Sequence, residues 1–318
     1  MVSCNAVRYI SDFIGSNYAD RTNTTCNADA IGLPIAANLV QNETEAAPLM
    51  AALRKESKEH FSGSSARDAL IAVTRRFQGH EAASALEESF LDFTDVRERA
   101  IEAAITGKDW KRAHTLAEAG KHIMHNGSPA TNAHYWTPHL LRIAQLTNDK
   151  PETERLARVL LIDSHQDSMK QFELLRTLVA TSQWAKYVDQ LLQDLGNGKR
   201  GHDHHLIAKI CASEGRWEAV LTTVQQERWT AHMYRSVLDD YETELGEHYP
   251  QKIATLLAER AEILASRTGA KPDEYDKAVR MLRRVRKLGE AQLADNIAAD
   301  WRVRLKRRPR LMEALGKG

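Results

Sequence analysis

From about residue 46 onward, apolar residues recur every three or four positions between short polar breaks, the signature of amphipathic helices. The stretch "APLMAALRKESKEHF" sets Leu49, Met50 and Leu53 on one side. "SGSSARDALIAVTRRF" offers a serine cap and then Leu70, Ile71 and Phe77, and "DFTDVRERAIEAAI" repeats the pattern with Thr94 as its cap. Thr137-Pro138 reads as an N-cap and first-turn proline for a helix through Leu140, Leu141 and Ala144. Further stripes follow at Leu156, Val159 and Leu160, and at Phe172, Leu175 and Val179. "RWTAHMYRSVLDDYETELG" places Trp229, Met233, Val237 and Tyr241 at four-residue spacing, which predicts one continuous helix. The next carries Ile253, Leu256, Leu257, Ala261 and Leu264, with Gly246 and Gly269 as left-handed ends of this pair. Valine and isoleucine never gather into the alternating runs that strands need. The fold class is all-α.

A second pattern overlies the first. Trp110, Trp184 and Trp217 each stand at the start of a helix just after a polar break, and each is followed by aliphatics at +3/+4 and +7. Trp217 follows Trp184 by 33 residues, Tyr249 follows Trp217 by 32, and two steps of about 37 lead back from Trp184 to Trp110. A unit of that length is a helical hairpin too small to bury its own apolar face, so neighbours must stack to complete a core. A large flat ring at the entry fills the wedge between hairpins. The unit resembles a tetratricopeptide repeat, although "EGRWEAVLTTV" lacks that family's small glycine and alanine positions. The expected architecture is therefore a stack of helical hairpins, a tetratricopeptide-like α-solenoid over residues 46–318. Residues 1–45, rich in Asn, Thr, Ala and Asp, read as a loosely ordered leader.

The last third carries a narrower likeness. Pro250 opens a helix, Tyr275 precedes Ala278, a basic helix runs from Leu282 to Leu288, and Trp301 stands ahead of "KRRPRLMEAL". In these features residues 210–318 resemble the helical C-terminal region of bacterial proteins that bear a SWIM-type zinc finger. That finger needs a C-x-C pair and a later C-x-H, and the chain has neither. The resemblance implies a helical array and carries over no zinc or DNA role.

Little else in the sequence points to chemistry. The three cysteines, Cys4, Cys26 and Cys211, are scattered and form neither a disulfide framework nor a metal knuckle. Neither a basic-then-apolar leader nor a twenty-residue apolar run is present, so a cytoplasmic protein without a membrane span is expected. His202, His204 and His205 in "GHDHHLI", with His122, His125, His134 and His139, invite a metal site, but no H-E-x-x-H accompanies them. The alternative is that Asp203 caps a helix whose exposed first turn holds His204 and His205. Cys211 falls on an apolar stripe as a small core residue, and no phosphate loop or nucleophile elbow occurs. The expectation is a protein that is not an enzyme and needs no cofactor.

Charge is the feature that stands out. Residues 277–318 hold 13 Lys and Arg against four acids, a net +9, which leaves −8 on the first 276 residues of a chain whose total is +1. Arg280, Arg283, Arg284 and Lys287, then Arg304, Lys306, Arg307, Arg308 and Arg310, are the candidate binding residues. They suit a protein partner with an acidic surface, another copy of this chain, or nucleic-acid phosphates. They also suit the polar outer face that the last repeat of a stack requires. The sequence thus points to a helical-repeat scaffold or adaptor for protein–protein interaction, with phosphate binding through the C-terminal helices as the alternative.

Overall fold

A computed structural model describes residues 37–58, 63–122, 129–163, 168–197, 203–230 and 235–316. They form sixteen helices and, among the described residues, no strand. The chain divides into two compact units, Met1–Leu160 and Leu161–Gly318. In each, helices that follow one another in sequence pack on one another, which is the solenoid-like arrangement expected from the hairpin pattern.

Unit 1 contains α1 (Glu43–Glu56), α2 (Ser64–Gln78), α3 (His80–Ser89), α4 (Thr94–Thr106), α5 (Trp110–Gly120), α6 (Pro129–Leu146) and the start of α7 (Lys150–Asp163). Asn42 caps α1 by accepting from the Glu45 backbone N–H at 3.0 Å. Ala37 and Val40 are buried with Leu49, Met50, Leu53, Leu70 and Val73. Packing thus reaches into the stretch read as a leader, of which residues 1–36 lie outside the described residues. Helices that follow one another in sequence pack together, and ion pairs also tie alternate helices. Arg67 and Arg99 of α2 and α4 pair across with Asp95 and Asp68, Glu102 of α4 pairs with Arg142 of α6 at 2.5 Å, and Glu88 of α3 pairs with Arg112 of α5.

Three local expectations change. The α2 serine is not a cap: helix begins at Ser64 itself, and its hydroxyl donates across to Asp95 at 3.0 Å. Phe93 rather than Thr94 holds the cap position of α4, where its ring lies 3.9 Å from the buried Arg67 guanidinium carbon. Pro138 does not open a helix but sits inside α6. Trp136, two residues earlier, is buried against Gly120, where an added Cβ would fall 2.6 Å from the indole. That packing holds the turn in place despite the hydrogen bond that a proline removes.

Unit 2 contains the end of α7, then α8 (Ser168–Leu178), α9 (Thr181–Asn197), α10 (His204–Ser213), α11 (Trp217–Gln226) and α12 (Val237–His248). It closes with α13 (Pro250–Ser266), α14 (Pro272–Lys287), α15 (Ala291–Arg304) and α16 (Pro309–Gly316). Its core runs from Ala208 and Cys211 through Leu257 and Leu282 to Trp301 and Leu315. Two of the three entry tryptophans, Trp184 and Trp217, pack onto neighbouring helices. Trp184 lies 5.2 Å from the Phe172 ring of α8 and donates its indole N–H to Glu214 at 3.0 Å, and Trp217 meets Tyr241 and His248 of α12.

The helix expected from Trp229 begins instead at Val237, with Met233 outside the described residues, and it kinks at Tyr241. Ser236 and Asp239 form a reciprocal capping box that fixes the start. Gly246 is not an end but a close-approach glycine within α12, where an added Cβ would lie 2.9 Å from Leu288. Gly269, at φ 72°, does take the left-handed conformation after α13.

Candidate partner-binding surfaces

The nine basic residues singled out by charge divide once their environments are known. Arg308 points inward: its guanidinium donates to the carbonyls of Ala265 at 2.6 Å, Arg267 at 2.8 Å and Ser266 at 3.0 Å. Those are the orphan acceptors at the C-terminal end of α13, where a cation is favoured. Arg304 bridges Glu262 at 2.5 Å and Asp300 at 2.9 Å, tying α15 to α13. Arg284 pairs with the half-buried Glu242 of α12, and Arg310 with Glu313 one turn on. Burial raises the Glu242 carboxyl above the usual range, against the opposing charge of Arg284. Arg283 is exposed on the outer face of α14. Arg280, Lys287, Lys306 and Arg307 are exposed and pair with no carboxylate among the described residues.

Part of that basic excess follows helix polarity. α14 opens on Asp273 and Glu274 and closes on Arg284, Arg286 and Lys287, and α15 closes on Arg302 and Arg304. Acid at the first turn and base at the last complements the helix dipole without any ligand.

The structure adds a surface that composition did not reveal. Between α2, α3 and α4 lies an open groove of about 380 Å³. Its floor is Ile71, Ala72, Val96, Ala100 and Ala103, and its rims carry Arg75 with Glu87 at 2.5 Å and Arg99 with Asp68. The sequence signal was available in the alanines at the solvent-facing positions 72 and 103, where a charged residue is the commoner choice.

Unit 2 holds a buried ionic cluster at the start of α12. Arg260 of α13, 5% exposed, donates to the Ser236 hydroxyl at 2.7 Å and to Glu227 at 3.4 Å, with its guanidinium carbon 5.1 Å from the Trp229 ring. Both Glu227 oxygens accept from the Val237 backbone N–H, at 3.0 and 3.2 Å. The Ser236 hydroxyl and backbone N–H each donate to Asp239 at 2.9 Å. Burial lowers the Arg260 pKa, and Glu227 and Asp239 oppose that shift. Every member has partners within the cluster, so it ties Glu227 and Ser236, at the start of α12, to α13. Only packing revealed it, because its members are scattered over 33 residues.

The histidines separate. Asp203 caps α10, accepting from the Leu206 backbone N–H at 3.0 Å, and the exposed His205 sets Nδ1 3.0 Å from Asp240. His139 lies 3.6 Å from Glu98 of α4, in the other unit. His125, His202 and the side chain of His134 lie outside the described residues. Among the described residues no group of three or more His, Cys, Asp or Glu is placed to hold a metal ion. Cys211 is buried, and burial raises its thiol pKa. Among the described residues no helix is long and apolar enough to cross a membrane.

No family model, curated protein or solved structure matches the chain.

Proposed function

We propose that the protein is a non-catalytic helical-repeat scaffold or adaptor, working in the cytoplasm, that docks a protein partner. The observation that supports this most directly is the α2–α3–α4 groove. Small side chains on its floor admit the backbone or an apolar side chain of a partner segment. The Arg75–Glu87 and Arg99–Asp68 pairs beside it are about half exposed, and each contributes only about 0.2–1 kcal/mol in place. A segment carrying charges of both signs can replace them at small cost.

The test fills the groove. Ala72→Trp/Ala103→Trp adds two indoles at solvent-facing positions and leaves the core intact. Capture from native lysate, split and run with and without nuclease, should show partners retained by the wild type in both halves and lost from the variant. An unchanged set on the variant counts against the groove, and a nuclease-sensitive set against the adaptor reading.

A second reading has its own support. Arg280, Lys287, Lys306 and Arg307 remain uncommitted, as phosphate contacts require. Arg284 and Arg308 hold the fold, so the informative reversal is Arg280→Glu/Lys287→Glu/Lys306→Glu/Arg307→Glu. It should abolish nucleic-acid binding and its steep salt dependence if that is the function. The likeness of residues 210–318 to SWIM-protein helical regions is likewise proposed, on helix spacing and the tail pattern.

A further inference from the structure

We propose that unit 2 carries both halves of a head-to-tail contact between copies of this chain, an acidic aromatic face on α11–α12 and a basic aliphatic face at the end of α15. This goes beyond the adaptor reading and does not rest on it.

The first face is built on Trp217. Its half-buried ring stacks on His248 at 5.4 Å and 25°, and meets Tyr241 edge-on at 6.5 Å. Tyr249 continues the patch, with Lys252 over its ring at the edge. Around these rings Glu218, Glu244 and Glu247 are exposed and pair with no cation among the described residues. Flat aromatic surface rimmed by carboxylates suits a guanidinium or ammonium group, which gains from both at once.

The second face supplies such groups. Arg302, Lys306 and Arg307 are exposed with no carboxylate partner among the described residues. Val303 between them is 75% exposed and, with Ala299 one turn earlier, occupies the outward centre of α15. An aliphatic side chain amid cations fits a surface offering aromatic area inside an acidic rim. It fits nucleic acid poorly, because the aromatic side chain at hand is withdrawn. Trp301 is fully buried and its indole N–H donates to Glu262 at 2.6 Å, so no ring faces outward there to stack on a base.

No ion pair joins the two sets within one chain among the described residues. A contact that uses a different face on each partner is heterologous, so each added copy offers a fresh face to the next and assembly runs past a dimer, into a ring or an open chain according to the rotation between copies.

Sedimentation of the nuclease-treated full chain tests this. At ~20 mM salt, where exposed charges act over distances well beyond 10 Å, the average mass should rise with concentration past that of a dimer. At ~1 M salt, where screening shortens that range to about 3 Å, it should return to the monomer. Lys306→Ala/Arg307→Ala and Glu244→Gln/Glu247→Gln each spoil one face at exposed positions whose side chains pair with no opposite charge among the described residues. Each variant alone should stay monomeric with wild-type melting, while an equimolar mixture, left with one good interface, should form a one-to-one dimer and stop there. A wild type that stays monomeric at every concentration overturns the proposal. So does an assembly that survives either variant, or a variant pair that fails to combine while the wild type associates. Assembly seen only in a parallel sample left without nuclease overturns it too and assigns the basic face to nucleic acid.

Discussion

Replacing Arg260 by methionine tests the buried cluster directly. The substitution removes a 2.7 Å bond to Ser236 and the partner of Glu227, while the methionine stem keeps most of the packing against Trp229. Glu227 then remains almost wholly buried, with the Val237 N–H and the His205 ring, 3.9 Å away, left to face its charge. Breaking a buried pair from one side costs about 3–5 kcal/mol, most of it from the stranded charge. In a unit of this size each kcal/mol moves the midpoint by roughly 2–4 °C, so Arg260→Met should lower the unit 2 transition by about 6–20 °C. Replacing both members removes the stranded charge as well. Glu227→Gln/Arg260→Met should therefore be more stable than Arg260→Met alone, by about 2 kcal/mol. Urea unfolding followed by tryptophan fluorescence, to which unit 2 contributes Trp184, Trp217, Trp229 and Trp301 and unit 1 Trp110 and Trp136, with calorimetry beside it, measures both quantities. If the single substitution costs under about 1 kcal/mol, or the two effects simply add, the cluster does not hold Glu227 and Ser236 to α13.

Two other perturbations have defined outcomes. In unit 1, Gly120→Ala forces a Cβ into the Trp136 indole and should cost about 1–3 kcal/mol in urea unfolding. Gly107→Ala, whose nearest neighbours are carbonyls at 3.4 and 3.8 Å, should stay within about 0.5 kcal/mol, and equal effects would show that the tight contact relaxes freely. For Asp239, burial alone would raise the carboxyl pKa, but donation from the Ser236 N–H and O–H, with Lys277 and Arg260 nearby, prevails and holds it below the usual range. The folded state therefore favours the carboxylate. Its contribution is present above the ordinary value of about 3.9 and is lost as pH falls through the lower folded value. Asp239→Asn should be less stable than wild type at pH ~6, with the gap closing by pH ~2, and a gap independent of pH would contradict the assignment.

Helix content and the order of hairpins were legible because burial in each element follows its own period. Leu49, Leu53 and Leu70 in unit 1, and Ile253, Leu257 and Leu264 in unit 2, are buried as their spacing predicted. The entry tryptophans were legible for the same reason. Helix starts were less so. Ser64, Thr94, Pro138 and Trp229 are local signals that lost to partners distant in sequence: Asp95, the buried Arg67, Gly120, and the Glu227–Arg260 pair. Nothing near Trp229 announces that an arginine 31 residues later will set where the helix begins. The basic patch was legible as a count of charges but not as a surface, because the sequence does not separate Arg308, turned onto α13, from Arg307, turned to solvent.

The grip of Arg308 on α13 has a consequence for how the chain is made. Most packing joins helices that are neighbours in sequence, so each hairpin can close soon after it leaves the ribosome, and the order of synthesis is also the order of assembly. Arg308 reaches farther than that, back 43 residues to Ala265. Until it emerges, the last carbonyls of α13 have only water for partners. A chain stalled or clipped before residue 308 would carry a nearly complete unit 2 whose longest-range bolt is missing, and quality-control proteases would meet it first at the turn after Ser266.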